Sequence, residues 1–110
     1  MLDQVAAIKA KRETLRSLRS ELDDMEAERR AMRTRVNIGL LGLKYARDAE
    51  ERERRIAAHE EAKARMAVLA AEIRDRTAQV RVLEGEIRRA EATLSSTVSS
   101  LCRTVERETG

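Results

Sequence analysis

The apolar residues of this chain recur every seven residues, with a second apolar residue three places after most of them. This is the a and d pattern of a coiled coil, in which one face of a long helix packs against another helix. None of the 110 residues is proline, and alanine, arginine, glutamate and leucine dominate, so nothing interrupts a helical hydrogen-bond ladder. The chain is therefore predicted to be all-α and almost entirely helical, as a long coiled coil.

Two such stripes are present, and they are out of register. The first runs from Met1 to Leu43 and the second from His59 to Leu101. The a positions Leu43 and His59 are sixteen residues apart, which turns the second stripe roughly 160° around a straight helix. One uniform coil from end to end does not fit this offset. The residues predicted to form a dimer seam are Leu15, Leu18, Leu22, Met25, Met32, Val36, Leu43, Met66, Leu69, Ile73, Val80, Leu83, Ile87, Leu94 and Leu101.

Between the stripes, residues 36–46 read VNIGLLGLKYA and carry apolar side chains on every side of a helix. Such a stretch is expected to be covered on more than one surface. Asn37, Gly39 and Gly42 weaken a helix at the same place. We expect a parallel dimer with a kink or register break near residues 37–58. The alternative is a helical hairpin with its corner at 37–42, ranked second because that corner sets Leu22 and Met25 opposite the polar residues 48–60.

These features predict a single coiled-coil rod over residues 1–110. Its parts are a basic N-terminal coil at 1–46, a register break at 47–58 and a C-terminal coil at 59–110. The register break contains acid-before-base pairs at i and i+4, such as Glu51 with Arg55, which are typical of a solvated helix without a loop. The Ser- and Thr-rich end of the chain is expected to be a weaker helix.

No group of residues in the sequence predicts catalysis. His59 and Cys102, the one histidine and the one cysteine, are forty-three residues apart, and there is no Gly-rich phosphate loop, HExxH motif or paired-cysteine spacing. We expect no enzyme, no cofactor and no metal site. The lone cysteine and the lack of an apolar run of ~18 residues favour an intracellular protein without a membrane span, in the cytoplasm or on the cytoskeleton, with the nucleus left open.

Positive charge is concentrated in the N-terminal half. Residues 9–47 hold eleven Lys or Arg against six Asp or Glu, whereas residues 48–110 hold twelve against thirteen. No acidic residue occurs between Arg29 and Arg47. A row of cations along a helix attracts an acidic polymer. The candidate binding residues are Arg29, Arg30, Arg33, Arg35, Lys44 and Arg47, helped by Lys9, Lys11, Arg12, Arg16 and Arg19.

Two functions remain open at this point. The first is a structural scaffold that forms a homodimer. The second is a binding module that docks its basic half on an acidic filament or protein surface, with microtubules as the first candidate. Nucleic acid is a weaker candidate, because a chain with one aromatic residue cannot stack bases along a strand.

Overall fold

The computed structural model describes residues 1–109, and the side chains of residues 1–108. Within this range the chain forms two α-helices and no strand: α1, Leu2–Leu43, and α2, Ala49–Thr109. The prediction of an all-α chain is confirmed. Gly110, the last residue of the predicted C-terminal coil, lies outside the described residues.

The chain turns back on itself at residues 44–48. The N–H groups of Lys44 and Tyr45 donate to the carbonyls of Leu41 and Gly42 at 3.3 and 3.1 Å, so α1 ends in tightened turns. The helical hairpin, ranked second from the sequence, is the observed arrangement, because α1 and α2 form ion pairs with each other across the turn, as Glu28 does with Arg65. Because α2 begins only at Ala49, the first residues of the predicted register break are turn and not helix.

The predicted corner at residues 37–42 was placed too early. Asn37, Gly39 and Gly42 all lie within α1, and no glycine among the described residues has a positive φ. A Cβ on Gly39 would lie 3.2 Å from His59 Nδ1, and one on Gly42 would lie 3.2 Å from Arg55 Nη1. The two glycines therefore allow close approach of α2 side chains, and they do not bend the helix.

Contacts divide the chain into two units, each built from a segment of α1 and a segment of α2. The corner unit is Ser20–Thr77. The terminal unit combines Met1–Arg19 with Ala78–Gly110, as far as the chain is described.

In the corner unit, ion pairs between the helices fix the register. Glu21 pairs with Arg76 at 3.2 Å, and Glu28 pairs with Arg65 at 3.0 Å. The partner's number falls as the α1 number rises, so the two segments run antiparallel. Met25, which lies between the two glutamates, is therefore beside residues 65–76. A hairpin with its corner at residues 37–42 would set Met25 opposite the polar residues 48–60. With the turn at residues 44–48 it does not.

The terminal unit is antiparallel as well. Arg19 pairs with Glu84 at 3.2 Å and Lys11 with Glu86 at 3.8 Å, while Arg12 pairs with Glu91 farther along α2. Such pairs flank the apolar seam of a coiled coil and help to select the partner helix and its direction.

The core of each unit is a narrow apolar seam between α1 and α2. Leu69 and Ile73 are its buried residues in the corner unit, and Ile8, Leu15, Val80 and Ile87 are those of the terminal unit. Residues assigned from the sequence to a dimer seam thus lie in a seam within one chain. Leu101 is the exception, because it is 49% exposed. The other residues of the predicted seam are half-buried: Leu18, Leu22, Met25, Met32, Val36, Leu43, Met66, Leu83 and Leu94.

The Ser- and Thr-rich end of α2 is helical as far as Thr109. The hydroxyls of Thr97 and Thr104 donate to the carbonyls of Thr93 and Ser100, each at 3.0 Å. These bonds to the carbonyl four residues earlier satisfy the hydroxyls without leaving the helical conformation. Neither helix, over the described residues, is both long and apolar enough to cross a membrane.

Candidate interaction site at the corner

The start of α2 is fixed by side chains that cap it. Asp48 Oδ1 accepts a hydrogen bond from the Glu51 N–H at 2.7 Å, and Glu51 Oε2 accepts one from the Arg47 N–H at 3.0 Å. This is close to a capping box, in which the cap residue and the third helical residue each satisfy a free backbone N–H. The turn at residues 44–48 is thereby anchored to the first turn of α2.

Arg55 joins the two helix ends. Its Nη2 donates to Glu51 Oε1 at 2.6 Å, and its Nη1 donates to the carbonyl of Gly42 in the last turn of α1. Carbonyls in a last turn have no partner within the helix and carry its negative dipole end, so a guanidinium there is doubly favourable. The sequence indicated the Glu51–Arg55 pair but not its link to Gly42. Asp48 followed three residues later by Glu51 is a helix-start signal that the periodic pattern overshadowed.

Three of the predicted binding cations are ion-paired in the terminal unit. Lys11, Arg12 and Arg19 each lie next to a carboxylate of α2. Lys9 and Arg16 are exposed and form no ion pair with any described residue. The N-terminal cations therefore do not form one uninterrupted row available to a polymer.

The cations of the corner unit are mostly free of carboxylates. Arg29 is half-buried on the seam, and its Nε is buried without a hydrogen-bond partner among the described residues. The unit as a whole contains thirteen Lys or Arg and thirteen Asp or Glu, because the five carboxylates of residues 21–28 and the mixed charges of α2 balance the basic end of α1. The positive surface is thus local. Among the predicted binding cations of this unit, those exposed without an ion pair in the described chain are Arg30, Arg33, Arg35, Lys44 and Arg47.

Apolar side chains are exposed around the end of α1. Ile38 and Leu41 are each 61% exposed, and Tyr45, in the following turn, is 76% exposed. We call these three residues the outer face. The sequence predicted that apolar residues off the seam would be covered, yet within a single chain they are not. Removing such surface from water is favourable, so these residues are candidates for contact with a partner.

A groove of about 660 Å³ opens on the corner unit. Small residues allow it to form, since alanine and glycine leave the space beside the seam unfilled. We call it the corner groove. Its apolar lining consists of Met32, Ile38, Gly39, Gly42, Ala58 and Ala62, and its polar lining of Arg35, Arg55, His59, Glu61 and Arg65.

The single histidine and the single cysteine, His59 and Cys102, do not form a joint site. His59 is half-buried with its Nδ1 against Gly39 and without a hydrogen-bond partner among residues 1–109, and Cys102 is an exposed free thiol. Over the same range, no three His, Cys, Asp or Glu side chains are grouped so that they could hold a metal ion. Comparison of the chain with protein-family models, with curated proteins and with solved structures finds no match.

Proposed function

We propose that the chain is a non-enzymatic coiled-coil scaffold that associates with other helices through its corner unit. The observation that carries this proposal is the exposed outer face, Ile38, Leu41 and Tyr45, next to a seam that is already occupied within the chain. Long paired helices supply the support, and the apolar corner supplies the contact. Such a module fits the intracellular, cytoplasmic or cytoskeletal setting expected from the sequence.

A homodimer is the first association to test. In the hairpin, the seam residues pack against the other helix of the same chain, so a homodimer needs a different surface. The outer face is suited to this because it is apolar and exposed, and because the corner unit as a whole has equal numbers of cations and carboxylates. Two copies related by a twofold axis would bury the same three residues on each side.

Sedimentation velocity of the full chain tests this proposal. Over roughly 1–100 µM the wild type is expected to move from monomer to dimer, and Leu41→Asp with Tyr45→Asp is expected to stay monomeric with unchanged helicity. Val68→Asp with Val82→Asp is the matched control, because Val68 is 48% and Val82 60% exposed away from the corner. A wild type that stays monomeric throughout, or a corner variant that dimerises as the control does, would refute self-association through the outer face.

The second candidate function is electrostatic docking on an acidic filament such as a microtubule. It is favoured by Arg30, Arg33, Arg35, Lys44 and Arg47, which are exposed and unpaired in the described chain. Attraction of this kind depends on the local density of cations and weakens as salt rises. It draws less support from the terminal unit, where three of the predicted cations already have carboxylate partners.

Co-sedimentation with microtubules over a salt series tests this candidate, with retention on nucleic acid as a second assay. Replacing Arg30, Arg33 and Arg35 with glutamate is expected to abolish binding. The control makes the same change in charge at Arg74, Arg81 and Arg89, which are exposed on α2 outside the basic run, and it should retain most of the binding. Equal losses in the two triple variants would mean that only net charge matters and would exclude a defined basic surface.

A further inference from the structure

We infer that the end of α2 is a second self-association surface, at which two copies of the chain pack their α2 ends against each other in antiparallel orientation. The surface consists of Val98, Leu101 and Val105, which we call the terminal face. It belongs to the terminal unit, whereas the outer face belongs to the corner unit. The inference goes beyond the proposed function and does not depend on the outer face.

In the terminal unit, α2 extends past the start of α1. The two helices are antiparallel, and Ile8 of α1 and Leu94 of α2 line one groove. Leu2, which begins α1, is six residues before Ile8, and six residues after Leu94 is residue 100. The last two turns of α2, residues 102–109, therefore have no part of α1 beside them in the described chain.

The terminal face continues the seam beyond this point. Leu101 lies seven residues after Leu94, which is half-buried in the seam, yet Leu101 is 49% exposed. Val98 is 41% and Val105 56% exposed, and their spacing places both on the same side of α2 as Leu101. The stripe keeps its helical spacing where it has lost its partner helix. A helix packed along the same line would extend an interface that already exists in each chain.

The composition of this segment gives a second reason for a partner. Six of the ten residues 95–104 are Ser or Thr, which have low helix propensity, yet the segment is helical and every side chain from 98 to 108 is exposed. A few turns of such helix are marginal in water, because most helical stability in proteins comes from packing of an apolar face. Burial of the terminal face would supply that packing.

A second copy provides a matching surface. In an antiparallel pair that sets Val98 of one copy opposite Val105 of the other, the twofold axis passes between Leu101 and Cys102. The charged residues, all within 103–108, then lie beside residues 95–100 of the other copy, which carry no charge. Like charges are kept apart, and each copy buries the same three apolar side chains. The second copy is therefore the occupant to which the apolar spacing and the charge pattern both correspond.

The association is expected to be weak. Three side chains that are about half exposed offer far less than the roughly 800 Å² that each partner buries in a standard interface. We expect a Kd of about 1 mM, above the concentrations at which self-association through the outer face is measured. A chain with two self-complementary surfaces contacts two other copies, so association through both surfaces gives an open series of chains and not a closed dimer.

Disulfide trapping tests the inference in the full chain carrying Leu41→Asp and Tyr45→Asp, which removes the outer face. Cys102 lies next to the proposed axis, so the two thiols of a pair are neighbours when diamide oxidises them. The control cysteine is Ser95→Cys in a Cys102→Ser background. It is also exposed on α2, but the antiparallel pair holds its two copies about 20 Å apart along the helices.

Cys102 is expected to cross-link at least about ten-fold faster than the control cysteine, after each rate is divided by the rate of alkylation of the same thiol by iodoacetamide. Adding Leu101→Asp and Val105→Asp should abolish this difference while the helicity measured by circular dichroism is unchanged. Val68→Asp with Val82→Asp places the same charges on exposed valines of α2 outside the terminal face and should leave the difference intact.

Two results would overturn the inference: equal normalised rates for Cys102 and the control cysteine, and equal rates in the terminal-face variant and its valine control. Sedimentation with phosphatidylserine vesicles that is lost in Leu101→Asp, Val105→Asp, without cross-linking at Cys102, would also overturn it and assign the face to a membrane surface. Fast cross-linking at Cys102, in a protein whose wild type never exceeds a dimer by small-angle scattering at about 1 mM, would support the terminal face and count against the outer face.

Discussion

Leu69 has no exposed surface, although most of the seam around it is only half-buried. Replacing it with alanine removes buried methyl groups and leaves a cavity, so the free energy of unfolding should fall by about 2–5 kcal/mol. Leu41→Ala removes the same atoms from a side chain that is 61% exposed and should change stability by less than about 0.5 kcal/mol. Urea unfolding followed by circular dichroism gives both values, and similar losses would contradict the observed burial.

Gly39 and Gly85 are both helical glycines, but their surroundings differ. A Cβ at Gly85 would come no closer than 3.6 Å to the flexible end of an arginine, whereas one at Gly39 would lie 3.2 Å from the His59 ring. Gly85→Ala should therefore stabilise the protein by about 0.5–1 kcal/mol through helix propensity alone. Gly39→Ala should stabilise the protein less than Gly85→Ala does, or destabilise it, and in a His59→Ala background it should give the full stabilisation. Chemical unfolding of wild type, Gly39→Ala, His59→Ala and the double variant forms a double-mutant cycle. Additive changes in the free energy of unfolding would show that Gly39 and His59 do not interact.

At the scale of the element, the corner is determined by capping. Asp48→Ala removes the cap of α2 and should cost about 1 kcal/mol. Arg55→Ala removes the donor to Gly42 and Glu51 and should cost about 1.5–3 kcal/mol, as expected for hydrogen bonds to or from charged groups. Arg54→Ala, a neighbour that is exposed and forms no ion pair in the described residues, should change stability by less than about 0.5 kcal/mol. Thermal unfolding in which Arg54→Ala matches Arg55→Ala would show that Arg55 does not hold the corner.

The two helical stripes could be predicted from the sequence, but their partner could not. Seven-residue spacing indicates that one face of a helix is buried against another helix. The spacing is the same whether that second helix belongs to the same chain or to another. The sixteen-residue offset between Leu43 and His59 indicated a discontinuity, which the structure resolves as a turn between two facing stripes. The corner was assigned to Gly39 and Gly42 because glycine weakens helices, whereas the local signal that counted was the cap at Asp48.

At the scale of the whole molecule, the candidate site depends on contacts that no local pattern contains. Gly39 and Gly42 of α1 and Ala58 and Ala62 of α2 line the same corner groove, and their placement on its two sides follows from the position of the turn. The pairing of Lys11, Arg12 and Arg19 with carboxylates of α2 likewise depends on the antiparallel register. Reading charge along the sequence therefore identified an exposed basic segment near the corner but overstated the basic surface of the terminal unit.

The antiparallel pairing of α1 with α2 in one chain is tested most directly by a distance within the corner unit. Spin labels on Asp24→Cys and Arg74→Cys, in a Cys102→Ser background, replace exposed side chains that form no ion pair in the described chain. Helices in contact are about 10 Å apart between axes, so pulsed dipolar spectroscopy should give a label distance of about 20–30 Å that persists on dilution with unlabelled protein. A distance of about 75 Å between the two labels of one chain, as fifty residues of continuous helix would give, would contradict the hairpin.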